Sequence, residues 1–358
     1  MGRESLGSAK RIVVKIGTNA LTNEQGLVDQ IFVSGIAGQV MQLKKQGKEV
    51  IIVSSGAIGS GFREIGLEKP PRDVAMRQAS FAVGQNRLMF SYAKAFGKFS
   101  QKIAQILLTY DAFSRRQTYL NLRNAFNLLL ELDVIPIVNE NDVVSINEID
   151  RSFGDNDKLS ALVASKLDAQ LLVILSDIGG LYTANPRRDK KAERIPIVAE
   201  ITREIEKTAG GRGSETSVGG MKSKIEAAKI AAASGCAVVI ADGRAENVLQ
   251  KILAGEDIGT LFLPKKALAS KAKWVFFSQP KGRIEVDKGA MDALLKRKSL
   301  LSNGITAVKG DFREKEVVEL SCNGHVFARG LVDFDSKKLQ KKKEGTAIKT
   351  ENLYIIEK

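Results

Sequence analysis

Histidine is almost missing from this chain, and cysteine nearly so. Among 358 residues there is one histidine, His325, and there are two cysteines, Cys236 and Cys322. No zinc cluster or CxxC redox pair can be built from such a set. A Ser/His or Cys/His nucleophile system would depend on His325 alone. So few cysteines in so long a chain fit a reducing, cytoplasmic setting. Long apolar runs are missing too. The opening stretch "MGRESLGSAKR" lacks the apolar segment of a secretion signal, position 6 is Leu6 where a myristoylation signal would carry Ser or Thr, and no run is long enough to span a bilayer. Export and membrane insertion are therefore not expected. Two nucleotide fingerprints are absent as well: neither GxxxxGK[ST] nor a GxGxxG following a strand occurs.

What remains is a chain with 44% hydrophobic and 27% charged residues, the balance of a globular protein. Its length exceeds one typical core and predicts a large domain followed by a smaller one. The net charge is +14, and residues 271–358, with 19 Lys+Arg against 12 Asp+Glu, carry +7 of it. Any polyanion partner belongs at that end, although a solvated basic face gives the same count.

Up to about residue 264 the pattern alternates. "KRIVVKIG" and "KEVIIVSSG" are β-branched runs stopped by glycine, with a helical segment between them. "QKIAQILLT", a helix at "YLNLRNAFNLLLEL", "VIPIVNE", a helix after "GDND", "AQLLVILSD", a helix at "GGMKSKIEAAKIAAASG" and "AVVIAD" continue the series. Apolar strands separated by helices predict an α/β three-layer sandwich around a mainly parallel sheet. Ligands of such sheets bind beyond the carboxyl ends of the strands. Residues 265–273, "KKALASKAK", read as a linker, and the short glycine-punctuated runs after it predict a small, mostly β module. The boundaries are thus 1–266 and 271–358. The lysine run Lys337, Lys338, Lys341, Lys342 and Lys343 reads as a solvated loop.

Three glycine-rich turns meet the predicted strand ends. "VVKIGTNAL" sets Lys15 at the end of the first strand. "VSSGAIGSG" follows the second with Ser55 and Gly56. "SVGGMKSKIEAA" opens a helix with Lys222 and Lys224 in its first turn, where the positive end of the helix dipole disfavours cations unless an anion compensates. Ordinary turn chemistry accounts for each glycine taken singly. In "FGDNDKLSALVASKL", Asp155, Asn156 and Asp157 stand where a helix begins; one cap needs only one of them. Lysines, glycine cradles and the carboxylates Asp142, Asp155, Asp157 and Asp177 at one sheet edge are the parts phosphoryl transfer uses, since its protein chemistry is mainly positioning and charge neutralisation. The carboxylates would orient the lysines or hold magnesium on a nucleotide.

Together "VVKIGTNAL", "VSSGAIGSG", "TYLNLRNAF", "PIVNENDVV", "FGDNDKLSALVA", "LSDIGGLYTANPR" and "GGMKSKIEAA" resemble, in order through residues 10–264, the motifs of the amino acid kinase family. The residues from 271 resemble a PUA domain, an RNA-binding barrel. The resemblance implies the amino acid kinase fold with an appended PUA-like barrel. It implies transfer of a phosphoryl group from ATP, with Mg2+, to the γ-carboxylate of L-glutamate at the start of proline synthesis. It implies Lys15, Lys224 and Asp157 as catalytic residues and Ser55, Gly56, Asp142, Asn156 and Asp155 as the acceptor pocket. It assigns Lys15, Ser176, Asp177, Val218, Gly219, Gly220, Met221, Lys222, Ser223 and Lys224 to ATP, with no protein-borne metal site. It further implies a homo-dimer or tetramer, proline as feedback inhibitor and RNA as partner of the C-terminal module. Val218 stands where the family often has Thr. "DSKKLQKKKEGTAIKT" is shorter than the matching PUA segment, which predicts a retained barrel with an altered RNA surface. Phosphorylation of N-acetylglutamate and an RNA-binding regulator on a kinase scaffold are the alternatives.

Overall fold

Short β-branched runs that stop at glycine, serine or an acidic residue form the central strands, in a computed structural model that describes residues 2–23, 25–113, 116–144, 156–209, 220–265, 270–278, 280–341 and 344–356. In chain order the first strands are β1 (Arg11–Ile16), β2 (Glu49–Ser54), β3 (Ile103–Leu108), β4 (Ile135–Glu140), β5 (Leu171–Ser176), β6 (Ile197–Val198), β7 (Ala237–Asp242) and β8 (Thr260–Phe262). The helices among them are α1 (Thr18–Leu21), α2 (Gln30–Lys45), α3 (Ala57–Glu64), α4 (Val74–Gly97), α5 (Arg116–Glu131), α6 (Asn156–Lys166), α7 (Arg203–Ala209), α8 (Met221–Ala233) and α9 (Val248–Leu253).

The sheet runs in the order β3-β4-β2-β1-β5-β7-β8-β6 and is parallel from β3 to β7, with β8 and β6 reversed at one edge. Every residue of β4 and β5, and all but the first of β1 and β2, is buried. That explains why these strands read as continuous apolar runs: both faces are covered. The register sets the carboxyl ends side by side, with Lys15 between Val53 and Ile174, Ser54 opposite Ile16, and Asn139 opposite Leu107.

Two helices that left no clear trace in the sequence reading, α3 and α4, fill residues 57–97. They cross in backbone contact. A Cβ built on Gly84 would collide with the carbonyl of Ala57, and one on Gly61 with the carbonyl of Ser80. Asp73 caps α4 by accepting the Met76 NH at 2.8 Å, and Asp29 caps α2 through the NH groups of Ile31 and Phe32. Helix α6 lies in the interior along almost its whole length. At its far end burial pushes the Lys166 ammonium down to about 7, although it lies 5.2 Å from the Tyr119 ring centroid.

The chain separates into two compact units, Met1–Ala112 with Gln117–Leu268, and Phe113–Arg116 with Ala269–Lys358. The second contains α10 (Ser270–Phe277), β9 (Gly282–Val286), α11 (Lys288–Leu295), β10 (Leu300–Leu301), β11 (Ile305–Gly310), β12 (Val317–Cys322), β13 (His325–Leu331), α12 (Ser336–Lys341), β14 (Thr346–Ile348) and β15 (Leu353–Ile355). Its sheets are β11-β9-β12-β13-β15 and β10-β14, around a core that includes Ile284, Leu294, Phe312, Leu320 and Ile348. Two local expectations change. Residues 270–273, read as linker, open α10, because Ala272, Trp274 and Val275 supply a buried stripe. The lysine run begins as helix α12, because Asp335 caps it through the Lys338 NH at 2.8 Å and Leu339 anchors it; Lys342 and Lys343 lie outside the described residues.

The α3–α4 crossing gives a direct test. Gly84→Ala forces two backbones apart and is expected to cost about 3 kcal/mol or more. Gly35→Ala, in an exposed turn of α2 with nothing within 4 Å of the new methyl, is expected to gain about 0.5–1 kcal/mol. Thermal melting of the two variants beside the parent chain reads both signs; a Gly84→Ala chain melting like the parent would place the helices further apart.

Candidate active site

The first turn of α6 brings the site together. Asp157 is fully buried and divides its two oxygens between two lysines from different elements. Oδ1 lies 2.5 Å from Lys15 Nζ on β1, and Oδ2 lies 3.2 Å from Lys224 Nζ in the first turn of α8. Ser223 donates to the same Oδ2 at 2.8 Å. Lys15 and Lys224 are themselves 1% and 6% exposed. Such a triad is stable in an interior only because charge, geometry and hydrogen bonding coincide; each cation alone would carry a large desolvation cost. Among the described side chains of this cluster two ammoniums face one carboxylate. The N-termini of α6 and α8, which add positive dipole ends, make it a place for an anion. At the cap of α8 stands Gly220, with no side chain to cover the first-turn NH groups.

Beside the triad, Asn156 begins α6 and ties the ends of two strands. Its Nδ2 faces Ser54 O at 2.7 Å, Ser55 Oγ at 3.1 Å and Asn139 Oδ1 at 2.8 Å. Asn139 Nδ2 in turn donates to Gln85 Oε1 at 2.8 Å, and the Tyr92 and Ser54 hydroxyls meet at 2.9 Å. Gly56 turns the chain from β2 into α3 at φ +93°, where a Cβ would press on Leu21 Cδ2 at 2.9 Å, so glycine is required on both counts.

Asp142 sits half-buried in the turn after β4. Burial pushes its carboxyl up to about 6, against an opposing pull from Arg77. Asp177, at the end of β5, behaves oppositely. Burial alone would raise it, but hydrogen bonds from Asn19, its own NH, Arg187 and Ser176 hold it below the usual carboxylate range. Asn19 Nδ2 and an Arg187 guanidinium NH reach its Oδ2 at 3.1 and 2.9 Å. Ser176 is buried beside it. In the first turn of α8, Lys222 is exposed and Met221 half-buried.

Of the predicted residues, Lys15, Asp157, Ser223 and Lys224 share one ion cluster, Ser55, Gly56 and Asn156 lie next to it, Ser176 and Asp177 stand at the adjoining strand end, Gly220, Met221 and Lys222 open α8, and Asp142 stands apart in the turn after β4. Asp155, Val218 and Gly219 lie outside the described residues. Sequence reasoning missed Asn139, Gln85, Tyr92 and Asn19. Asn139 was within reach, since it stands in the quoted "PIVNENDVV"; Gln85 and Tyr92 sit on a helix that carried no motif. Among the described residues no group of three or more His, Cys, Asp or Glu could hold a metal ion, and no helix is long and apolar enough to cross a membrane.

Replacing Asp157 by asparagine would leave two buried ammoniums facing a neutral amide. The expected loss of stability is about 3 to 5 kcal/mol in urea unfolding. Ser223→Ala, which removes one hydrogen bond, should cost about 1 kcal/mol. Equal and small losses would mean that Asp157 is not the shared counter-ion.

Residues 10–242 match the family described as amino acid kinase, and residues 282–354 match the PUA domain. A glutamate 5-kinase of Methanosarcina barkeri is 48% identical over 99% of this chain and 98% of its own length. One from Methanosarcina mazei is 50% identical over 92% of this chain and 88% of its own. A solved structure of carbamate kinase from Giardia lamblia bound to AMP-PNP superposes with a TM-score of 0.52 at 16% identity, covering 72% of this chain and all of that one. At that identity the likeness is one of fold.

Proposed function

The chain belongs to the amino acid kinase family, and from that premise we propose that it transfers the γ-phosphoryl group of ATP to the γ-carboxylate of L-glutamate, giving L-glutamyl 5-phosphate and ADP. The observation that carries this reading is the Lys15–Asp157–Lys224 triad. A carboxylate oxygen of glutamate attacks the γ-phosphorus as the bond to the ADP oxygen breaks. The acceptor is already an anion, so no base has to remove a proton, in keeping with a site built without histidine. Lys15 and Lys224 neutralise the charge that spreads over the phosphoryl oxygens, and Asp157 holds both ammoniums in place before substrate arrives.

In this reading Ser55, Gly56, Asp142, Asn156 and Asp155 form the acceptor pocket. Ser176, Asp177 and residues 218–224 take the nucleotide, whose phosphates meet the uncapped start of α8. Mg2+ enters on the nucleotide phosphates in this reading, as that ion commonly does. Every assigned residue lies between Lys15 and Lys224, and catalysis is accordingly placed in residues 1–266. The basic module 271–358 is assigned to RNA, through the likeness to the PUA domain and its +7 charge. Proline, the amino acid at the end of such a route, is the proposed feedback inhibitor at or beside the acceptor pocket. A content of only two cysteines suits a cytoplasmic place.

Incubation with ATP, magnesium, L-glutamate and hydroxylamine tests the activity, because an acyl phosphate is trapped as a hydroxamate. Turnover with N-acetylglutamate but not glutamate would overturn the acceptor assignment. Lys224→Met should lower kcat by roughly 30- to 1,000-fold, or about 2 to 4 kcal/mol, with a smaller change in KM for glutamate. A near-normal kcat would remove Lys224 from the mechanism.

Asp142 adds a pH signature. With its carboxyl pushed up to about 6, it is an anion above that pH and neutral below it. An anion attracts the ammonium of glutamate and a neutral acid does not. The KM for glutamate should therefore rise as pH falls through about 6, with the KM for ATP unaffected, and Asp142→Asn should flatten this profile at a raised KM. A profile unchanged in Asp142→Asn would exclude the carboxyl as its source.

A further inference from the structure

Three buried carboxamides are wired in series between α4 and α6. Gln85, Asn139 and Asn156 are 5%, 3% and 9% exposed. An amide presents nearly the same shape whichever way its oxygen points, so its polarity follows from its partners. Here two backbone groups settle it. The Glu140 NH can only donate, and it meets Asn139 at 2.9 Å, so the atom facing it is Oδ1. Asn139 must then offer its NH2 to Gln85, whose Oε1 receives it at 2.8 Å. The Ser54 carbonyl can only accept, so the Asn156 atom 2.7 Å from it is Nδ2, which the Asn139 Oδ1 at 2.8 Å also requires. With the two N–H bonds of its Nδ2 shared among three acceptors, Asn156 has one side-chain polar atom left to offer a ligand, the acceptor Oδ1.

We infer that Gln85 is a positioning residue for recognition of the substrate's ammonium group: by receiving the Asn139 NH2 it keeps the series in its one consistent polarity, so that Asn156 presents an oxygen to the N–H donors of the amino acid. This rests on the acceptor-pocket reading of Asn156 given above. Without the Gln85 oxygen, the Asn139 NH2 would be buried with no acceptor at that end, and a turned Asn139 would give up both Glu140 NH and Asn156. Gln85 itself is one helical element removed from α6, and its contact with that helix passes through Asn139. Tyr92, two turns further along α4, meets Ser54 from the same helix, so one helix supports both strand ends that flank Asn156.

The test compares L-glutamate with glutarate, which has the same carboxylates and no ammonium. The parent chain is expected to prefer glutamate in kcat/KM. Gln85→Met should shrink that preference by about 10-fold, mainly through a higher KM for glutamate, with the KM for ATP unchanged, the loss expected when a buried polar group loses its partner. Gln85→Glu, which keeps an oxygen facing Asn139, should retain most of the preference. Gln85→Ala, which leaves room for a water in place of the amide, should fall between and serves if the Met variant does not fold. A preference unchanged in Gln85→Met and Gln85→Ala, or equal losses on both acids, would overturn the inference and leave Gln85 a packing residue. A parent chain that phosphorylates neither acid would overturn the acceptor reading itself, and the inference with it.

Discussion

A single buried carboxylate, Asp157, fixes the relative positions of three elements that are far apart in sequence. Lys15 arrives on a central strand, Lys224 on the first turn of α8, and Asp157 on the first turn of α6. Burial of an ammonium is costly, and a carboxylate at contact distance offsets part of that cost for each lysine. The sheet makes the meeting possible. β1 lies between β2 and β5, and α6 packs on β1 and β5 with its N-terminus at their carboxyl ends. Among the described residues this cluster joins two cations and one anion, which in the proposed reading is preorganised for charge that develops on a transferred group.

The same sheet edge depends on a second, uncharged constraint. The close crossing of α3 and α4 brings α4 near enough for Gln85 and Tyr92 to reach Asn139 and Ser54. Glycine at positions 61 and 84 is a packing requirement whose consequence is chemical, since a wider crossing would withdraw the amide and the hydroxyl that support the acceptor side. In the proposed reading, packing and recognition are coupled here through side chains that need not touch substrate.

Much of this was legible in the sequence, and the reason is periodic. Strands buried on both faces read as unbroken apolar runs, and glycine marks the turns where backbone approaches closely, so the pattern alone places Lys15, Gly56 and the start of α8 at one edge. Asn156 and Asp157 stood out as a surplus of capping residues. Gln85 did not stand out, because an isolated glutamine on a helix looks like a surface residue until α3 and β4 are seen to cover it. Helix α12 was hidden by its lysines: charge count pointed to a loop, while a single Asp335 cap and the buried Leu339 decided for helix. Long-range packing, which no local pattern carries, accounts for Gln85, whereas at α12 a local cap was outweighed by the lysine count.

Three carboxylates at this edge show how environment separates roles within one site. Asp157 lies between the ammoniums of Lys15 and Lys224 and holds them in place. Asp177 is held charged by neutral amide and hydroxyl donors and by an exposed arginine, which suits a residue lining a nucleotide rather than gripping a phosphoryl group. Asp142 is desolvated with weak compensation from Arg77, and it is the one whose charge stays conditional. A carboxylate poised in that way gains most from a ligand that brings its own positive charge, since the ammonium then supplies the compensation the protein withholds. Glutamate carries such a group at its α-carbon and a phosphate ester does not. In the proposed reading, Asp142 thereby favours an amino acid on the acceptor side, whose ammonium would complete the pairing.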